Sequence, residues 1–269
     1  MQFSFVVPTF NRERNVHLLL CALHLQTDQD FEVIISDDGS TDGTRKMLDQ
    51  HRRRLRLLKY CRQAHDGYRV SMARNRGTRA ADPASTHIWF LDSDNLLNKY
   101  AVARARGLCS REPDAIICGR YDWLPPMIIT PGDITDRWSL LIAGKLPRVK
   151  VDYLCEHEVR PDHRSHIEGR TDSFFDSSTR HRSRGTLSGN LIVPRLWLKR
   201  GFDETIHGQG QDGEFGHHIY EAGAECIFCD KIIGYHMAHF SDATWKSESV
   251  QRTIRYINKK YRLRIPAEW

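Results

Sequence analysis

Two carboxylates one residue apart, Asp92 and Asp94, directly follow an apolar run at residues 88–91. A short apolar run of this kind predicts a buried strand, and ligands bind at the carboxyl ends of strands in an open α/β sheet. Two carboxylates at such an edge can bind a hard divalent cation that works together with phosphate groups. A capping and a turn aspartate would give the same spacing, so only the neighbouring motifs favour the metal site.

A second pair of carboxylates, Asp37 and Asp38, ends another predicted strand at residues 31–36. Parallel strands present their carboxyl ends at the same edge of a sheet, so both acidic pairs are expected to lie there together. We expect a nucleotide to bind at this edge.

Predicted strands and helices alternate through the first half of the chain. The strands are expected at 3–7, 31–36, 55–60, 88–91 and 115–121. Helices are expected at 16–26, 67–81 and 99–109, and a further helix is expected to follow an N-cap at Ser40 or Thr41. This alternation predicts βαβ units, right-handed crossovers and a mostly parallel sheet. The predicted fold class is therefore α/β.

The middle of the chain, residues 123–185, is rich in proline and polar residues and has one predicted helix, at 136–144. A long irregular segment inside a compact domain is either a linker or a functional lid, and we expect an acceptor-facing lid. Its histidines match no common metal-ligand spacing and are expected to be solvated loop residues: His157, His163, His166 and His181.

Regular elements are predicted again from residue 186 onwards. They are a strand at 186–193, a helix after Pro194, a helix from the glycine-rich loop 208–216 to Glu221, a strand at 226–235 and a C-terminal helix at 247–261. Asp212 lies where the glycine-rich loop enters its helix. It either caps that helix or serves as a general base.

Composition limits the class of protein. The 269 residues fit one large domain or two small ones, and the net charge of +6 suits a nucleotide better than it argues for nucleic acid. No apolar stretch of membrane-spanning length and no signal peptide is evident, so we expect a cytoplasmic protein.

The seven cysteines are scattered along the chain. Cys21, Cys109 and Cys118 fall in apolar patterns and are expected to be small buried hydrophobic residues in a reducing compartment. Cys226 and Cys229 have the CxxC spacing, but no second cysteine pair accompanies them and a zinc site there is not expected.

Taken together, the motifs resemble those of glycosyltransferases of family 2 with the GT-A fold. The matching stretches are VVPTFNR at 6–12, SDDGSTD at 36–42, ARNRG at 73–77, LDSD at 91–94, GFDE at 201–204 and GQGQDGEFG at 208–216. Residues 186–240 resemble the galactosyltransferase-like C-terminal region of that superfamily. The resemblance implies one GT-A domain, with a Rossmann-like nucleotide-binding sheet that has helices on both faces. Its parts would be a nucleotide-sugar half at 1–122, an insert or lid at 123–185 and an acceptor half at 186–269.

The resemblance also implies roles for individual residues. Asp212 would be the catalytic base, and Mn²⁺ or Mg²⁺ would be bound by Asp94 with Asp92 and by His236 or His239, of which His236 leaves the strand first. Asp38, with Asp37 as the alternative, would hydrogen-bond the nucleotide base. The remaining residues expected at the nucleotide sugar are Pro8, Thr9, Phe10, Asn11, Arg74, Asn75, Asp92, Ser93, Gly189 and Asn190.

The predicted reaction is the inverting transfer of a hexosyl or N-acetylhexosaminyl group from a UDP-sugar to an acceptor hydroxyl. A divalent ion stabilises the leaving diphosphate as a Lewis acid, and a carboxylate on the other side of the donor accepts the proton of the hydroxyl. The acceptor would be a glycan, a lipid-linked glycan, a peptide or a small molecule. Neither nucleic acid nor a transmembrane segment is expected, although the basic C-terminal helix is compatible with a peripheral membrane contact.

Other classes of protein remain as alternatives. A sugar-nucleotide-forming nucleotidyltransferase would show a glycine-rich basic loop after the first strand, where this chain has 8–12, Pro-Thr-Phe-Asn-Arg. A glycoside hydrolase would use two carboxylates but would need neither the metal pair nor the base-binding strand end. A non-catalytic glycan- or nucleotide-binding module would have no need of Asp94 and Asp212 together.

Overall fold

The structure is a computed structural model that describes residues 3–55, 57–125, 127–143, 145–146, 189–239 and 243–265, the last of these by backbone alone up to residue 247. The predicted histidine-rich loop and most of the predicted lid fall on residues 147–188, outside the described residues. No helix in the described ranges is long and apolar enough to cross a membrane.

The described strands form one eight-stranded sheet. They are β1 (Phe3–Thr9), β2 (Phe31–Asp37), β3 (Leu58–Arg62), β4 (His87–Leu91), β5 (Asn95–Leu97), β6 (Ile116–Trp123), β7 (Asn190–Pro194) and β8 (Cys226–His236). Their spatial order is β3-β2-β1-β4-β7-β6-β8-β5. β1 is parallel to β2 and β4, β2 to β3, and β6 to β8, whereas β7 runs antiparallel to both neighbours and β5 antiparallel to β8. The predicted α/β fold with a mostly parallel sheet is confirmed.

Helices cover both faces of this sheet. They are α1 (Glu13–His24), α2 (Thr44–Met47), α3 (Val70–Ala80), α4 (Ala101–Arg111), α5 (Pro131–Asp136), α6 (Trp138–Ile142), α7 (Gln211–Glu221) and α8 (Ala243–Tyr261). Side chains alternate along β1, so that Phe5 packs in one apolar cluster with α1 and α4, while Val6 packs in a second cluster with α7. The period-2 alternation of a strand therefore assigns the two faces to different helices.

Several predicted boundaries were wrong. β3 begins at Leu58 rather than at residue 55, because residues 51–55 form a turn in which the His51 carbonyl accepts hydrogen bonds from the amides of Arg54 and Leu55. α2 begins at Thr44, where the Asp42 carboxylate accepts the amide hydrogen bond, rather than after a cap at Ser40 or Thr41.

In the second half, the helix predicted at 136–144 is two short helices. Thr130 and Asp133 form a capping box with Pro131 at the first turn, which starts α5 earlier than predicted. A short 3₁₀ turn, Arg195–Leu198, stands where a helix was predicted after Pro194.

The strand β5 was not predicted. It has three residues, too few for a periodic pattern, and it pairs with the end of β8 so that Asn95 lies opposite His236. This pairing brings the chain just after Asp92 to the end of β8.

Candidate active site

A cavity of about 570 Å³ opens at the carboxyl ends of β1, β2 and β4, beside the start of α7 and the end of β8. It collects residues from both halves of the chain. The predicted site residues that line it are Pro8, Thr9, Phe10, Asp38, Arg74, Asp92, Ser93, Asp94, Asp212, His236 and His239.

At one end of the cavity an aromatic pair lies next to a buried carboxylate. The rings of Phe10 and His65 stack with centroids 3.9 Å apart and planes 6° apart. Asp38 is buried, and its Oδ1 accepts a hydrogen bond of 2.6 Å from the Gln63 side-chain amide. A flat apolar surface beside a fixed hydrogen-bond acceptor suits a planar heterocycle that carries an N–H group.

In the middle of the cavity, two carboxylates share one buried guanidinium. Arg74 is 2% exposed and donates to Asp92 Oδ1 over 3.0 Å and to Asp212 Oδ1 over 3.2 Å. Its guanidinium carbon lies 5.2 Å from the ring centroid of Phe202. Burial raises the pKa of Asp92 to about 6, with Arg74 opposing the rise and the carboxylates of Asp94 and Asp212 adding to it.

At the other end, Asp94 lies beside two imidazoles. Its Oδ2 is 3.0 Å from His239 Nε2, and its Oδ1 is 3.5 Å from His236 Nε2. The Met237 amide donates to the Asp94 carbonyl over 2.8 Å, so the pairing of β5 with β8 holds the three side chains together. One ligand atom from each lies within 4.8 Å of the other two.

The donor set at Asp94 fits a divalent cation. Asp94 Oδ1 is buried and accepts no hydrogen bond from the described residues. Burial favours the protonated acid, but the two imidazoles outweigh this effect and hold the pKa of Asp94 well below its usual range. A carboxylate with two imidazoles is a ligand set that Mn²⁺ and other first-row divalent ions accept.

The first part of the chain matches a known family. The model of glycosyl transferase family 2 matches residues 4–128. This stretch is similar to the glycosyltransferases of family 2. A hyaluronan synthase of Pasteurella multocida is 31% identical over 241 residues, which cover 87% of this chain and 24% of the synthase. The chain therefore spans about a quarter of that relative.

Two solved structures are similar along nearly the whole chain. S. aureus TarS 1–349 in complex with UDP-GlcNAc matches with a TM-score of 0.68 and 19% identity, over 97% of this chain and 66% of that one. A mannosyltransferase of Pyrobaculum calidifontis in complex with GDP-Man and Mn²⁺ matches with a TM-score of 0.61 and 16% identity, over 98% of this chain and 65% of that one. The chain as a whole is family 2-like, and its fold is GT-A. The family match ends at residue 128, so the galactosyltransferase-like character of 186–240 stays a prediction.

Two residues predicted at the nucleotide sugar, Asn11 and Asp37, lie outside the cavity lining and form hydrogen bonds within the neighbouring loops. Asp37 accepts hydrogen bonds from the Tyr60 hydroxyl at 2.6 Å and from the Ser40 amide at 2.7 Å. Asn11 has a left-handed backbone with φ of 49°, and its Oδ1 accepts from the Thr41 amide at 2.8 Å. Together they fix the turn that follows β2, and the carboxylate that faces the cavity is that of Asp38.

Asn75 also lies outside the cavity lining. Its side-chain amide donates to the Phe202 carbonyl at 2.8 Å and to Glu204 Oε1 at 2.9 Å, and its Oδ1 accepts from the Phe202 amide at 2.9 Å. Asn75 therefore holds the 201–204 turn against α3, the helix that also carries Arg74.

Gly189 and Asn190, which were also predicted at the nucleotide sugar, make their contacts within the sheet. Asn190 is fully buried, accepts from the Trp89 indole at 3.0 Å and donates to the Arg120 and Ile232 carbonyls. A Cβ atom on Gly189 would lie 1.3 Å from the Tyr121 hydroxyl and 2.5 Å from Asp92 Oδ2, so a larger residue there would displace both side chains. Asn190 therefore joins β7 to the neighbouring strands, and Gly189 leaves room for the Asp92 side chain.

Sequence reasoning missed several residues of the lining: Arg12, His65, Tyr68, Gln209 and Gln211. Tyr68 and Gln209 come from different halves of the chain, and the Gln209 amide donates to the Tyr68 hydroxyl at 3.0 Å. In the sequence, Arg12 and Gln211 are marked only by their place inside the stretches VVPTFNR and GQGQDGEFG. His65 precedes α3 in a stretch with no periodicity that could reveal its stacking on Phe10.

Proposed function

We propose that the protein is an inverting, metal-dependent glycosyltransferase that moves a hexosyl or N-acetylhexosaminyl group from a UDP-sugar to an acceptor hydroxyl. The observation that carries this proposal is that one cavity contains both the Asp94–His236–His239 group and the Asp212 carboxylate, with Arg74 between them. Two separate groups in one cavity can act on the leaving group and on the attacking hydroxyl.

The donor would bind by its base first. The uracil ring would lie against Phe10 and donate its N3–H to Asp38, whose carboxylate Gln63 fixes from behind. The diphosphate would then point towards the other end of the cavity. Bound there by Asp94, His236 and His239, Mn²⁺ or Mg²⁺ would neutralise the charge that develops on the leaving phosphate.

Asp212 would accept the proton of the acceptor hydroxyl. It lies at the start of α7, and its hydrogen bond from Arg74 fixes the carboxylate orientation before the acceptor arrives. Attack from the side of Asp212, opposite the diphosphate, inverts the anomeric carbon. The proposed acceptor is a hydroxyl of a glycan, a lipid-linked glycan, a peptide or a small molecule.

The similar structures support a nucleotide-sugar donor, since TarS is in complex with UDP-GlcNAc and the mannosyltransferase with GDP-Man and Mn²⁺. The proposed division of labour assigns donor binding to residues 1–122 and acceptor binding with catalysis to residues 186–269. A lid at 123–185 stays a prediction, because residues 147–188 lie outside the described residues.

The first experiment is a thermal unfolding series with UDP, GDP, ADP and CDP, each with and without Mn²⁺. A ligand that binds the folded state raises the melting temperature, so we expect the largest rise with UDP plus Mn²⁺. This rise should be absent when Mn²⁺ is omitted and absent in Asp94→Ala. Asp230→Ala, an exposed acid on β8, is the matched control and should behave as the wild type. If GDP is the only one of the four nucleotides that raises the melting temperature, the donor is a GDP-sugar rather than a UDP-sugar. No rise with any nucleotide would contradict the proposal.

Turnover then separates a transferase from a binding module. UDP-sugars that raise the melting temperature are incubated with acceptors, and the anomeric configuration of the product is read by NMR. We expect a β-linked product from an α-linked donor and no product from Asp212→Asn. An α-linked product would overturn the inverting mechanism, and nucleotide binding without any turnover would favour the non-catalytic module.

A further inference from the structure

A second group of metal-ligating side chains lies away from the cavity, on helix α1 and the turn after α2. His17 and Cys21 are one helical turn apart and so project from the same face of α1. His51, which is 4% exposed, packs against that face from the turn that ends the 3₁₀ helix Leu48–Gln50. None of the three lines the cavity.

The three side chains are close enough to share one ion. A ligand atom from each of His17, Cys21 and His51 lies within 4.8 Å of the other two. His17 Nδ1 and His51 Nε2 are 2.8 Å apart, so both nitrogens already point at each other. Cys21 is half-buried beside them rather than fully enclosed in the apolar core, which differs from the small buried hydrophobic residue expected from the sequence.

A fourth residue fixes the orientation of the buried imidazole. His24 Nε2 lies 2.9 Å from His51 Nδ1, and the two rings stack with planes 12° apart. Histidines that bind metals usually donate their second ring N–H to an acceptor, most often a carboxylate, a backbone carbonyl or water, which sets the tautomer and leaves the other nitrogen as the ligand. The unprotonated Nε2 of a neutral His24 can be that acceptor here. His51 Nε2, the atom that faces His17, is the nitrogen that this arrangement leaves for a metal.

We propose that His17, Cys21 and His51 form a binding site for a thiolate-preferring transition metal ion such as Zn²⁺, with His24 as the positioning residue. Two imidazole nitrogens and one sulfur are a common set for Zn²⁺, and the fourth position would be filled by water because His17 and Cys21 are half-exposed. On binding, Cys21 loses its thiol proton to solvent and the metal–sulfur bond forms in its place, with no change of oxidation state.

The charges around the site are compatible with this chemistry. Burial lowers the pKa of His51 to about 4, with His17, His24 and Arg54 adding to the effect, so the imidazole is neutral as a ligand must be. Burial raises the pKa of the Cys21 thiol and Arg54 partly offsets that rise, but coordination to a divalent metal deprotonates a thiol outright. The positive charge of Arg54 opposes a cation bound here, and the negative charge of a Cys21 thiolate offsets that repulsion.

The site differs from the Asp94 site in the ion that it prefers. Asp94, His236 and His239 offer oxygen and nitrogen, whereas the α1 group offers sulfur. Soft thiolate ligands favour Zn²⁺ over Mg²⁺ and Mn²⁺, so the two sites would take different ions from the same solution. An ion on α1 would tie this helix to the 48–55 turn and so stabilise the folded state.

Cobalt titration tests the proposal, because a cobalt–thiolate bond gives a charge-transfer absorption that oxygen and nitrogen ligands do not give. The whole chain, freed of metal by a chelator, is titrated with Co²⁺ and then with Zn²⁺. We expect one equivalent of Co²⁺ to produce the charge-transfer band with the visible bands of a tetrahedral ion, and Zn²⁺ to displace it. His24→Ala should weaken Co²⁺ binding by roughly 10- to 100-fold.

Matched cysteine variants locate the sulfur. Cys21→Ser should lose the band, while Cys61→Ser, another half-buried cysteine, should keep it. Cys155→Ser should also keep it, which excludes the cysteine two residues before His157 in the sequence. Asp94→Ala should keep the band as well, because the cavity site has no sulfur ligand.

Folding of each variant is checked by circular dichroism, and His17→Ala gives a second, half-exposed substitution should Cys21→Ser fail to fold. His17→Ala should weaken Co²⁺ binding by more than about tenfold. Absence of the band in the wild type, or its persistence in Cys21→Ser, would overturn the proposal. A Zn²⁺-induced rise in melting temperature that Asp94→Ala abolishes and Cys21→Ser leaves intact would assign the ion to the cavity and would equally overturn it.

Discussion

Arg74 donates a hydrogen bond to Asp212 across 3.2 Å, although the two residues come from opposite halves of the chain. The same guanidinium donates to Asp92 at 3.0 Å. Arginine presents its donors in a rigid planar fork, so one side chain can fix two carboxylates at once. Arg74 therefore sets the position of the proposed base relative to the donor side of the cavity.

We expect Arg74→Lys to lower kcat by roughly 100-fold while the protein stays folded. A single ammonium group cannot donate to both carboxylates in the geometry of the fork, and displacement of a reacting group by about 1 Å costs on that order. Steady-state kinetics with the UDP-sugar identified by the thermal series measure the effect. Arg79→Lys, an exposed arginine on the same helix, is the control and should change kcat less than about twofold. Equal kinetics for the two variants would contradict the role of Arg74.

We expect His236→Ala and His239→Ala each to raise the Mn²⁺ concentration required for half-maximal UDP binding by more than about tenfold. Both imidazoles lie within reach of Asp94, so neither alone completes the site. Isothermal titration of UDP at a series of Mn²⁺ concentrations gives the values. His207→Ala, at an exposed position before α7, should leave them unchanged. If only one of the two variants alters the Mn²⁺ requirement, the other histidine is not a ligand.

We expect Glu214→Gln to lower the free energy of unfolding by about 3 kcal/mol at neutral pH. Glu214 is fully buried on α7 and accepts hydrogen bonds from Arg200, Lys260 and Tyr261. Its neutralisation removes the carboxylate that pairs with Arg200, while Lys260 keeps its ion pair with Asp203. Urea unfolding measures the difference. Glu221→Gln, exposed at the end of the same helix, should stay within about 0.5 kcal/mol of the wild type.

The effect of Glu214 should depend on pH in a defined direction. Burial raises the pKa of Glu214, but the hydrogen bonds from Arg200, Lys260 and Tyr261 outweigh it and lower the pKa below the ordinary value of 4.5. A carboxylate with a depressed pKa in the folded state stabilises that state above the unfolded-state pKa, and this stability is lost as the pH falls through the folded-state pKa. The difference between wild type and Glu214→Gln should therefore be constant above about pH 5.5 and shrink at lower pH. A difference that grows with acidity would contradict this assignment.

We expect Asn75→Ala to destabilise the protein by about 1–3 kcal/mol while leaving the Kd for UDP in Mn²⁺ within about twofold. Its three hydrogen bonds hold the 201–204 turn, and none of its atoms lines the cavity. Urea unfolding and calorimetric titration give the two values. Asp38→Ala is the contrasting variant, because the Asp38 carboxylate faces the cavity. For this variant we expect the loss of binding free energy for UDP to exceed the loss of unfolding free energy. A strong loss of UDP affinity in Asn75→Ala would contradict a purely structural role and would support the nucleotide contact expected from the sequence.

The sequence was sufficient for the α/β class, because apolar runs such as 31–36 and helical spacing along α1 report local periodicity that tertiary packing then reinforces. It was not sufficient for β5. Three residues carry no period, and the strand exists only because the end of β8 lies beside it. The same limit explains the displaced start of β3, which depends on hydrogen bonds to the His51 carbonyl rather than on the composition of the strand.

For the site, the residue types Asp92, Asp94 and Asp212 and their exits from regular elements were visible in the chain, because carboxylates after buried runs are a local feature. Which of two neighbouring polar residues faces the cavity was not. Asp37 and Asp38 are adjacent, yet one bonds Tyr60 and the other lines the cavity, because side chains that follow a strand are assigned to opposite sides by the backbone turn. The sequence by itself thus determined the fold class and the kinds of chemical groups at the carboxyl edge. Tertiary structure decided that Arg74 joins Asp92 to Asp212 and that His51 meets His17, because such contacts depend on distances in space between residues far apart along the chain.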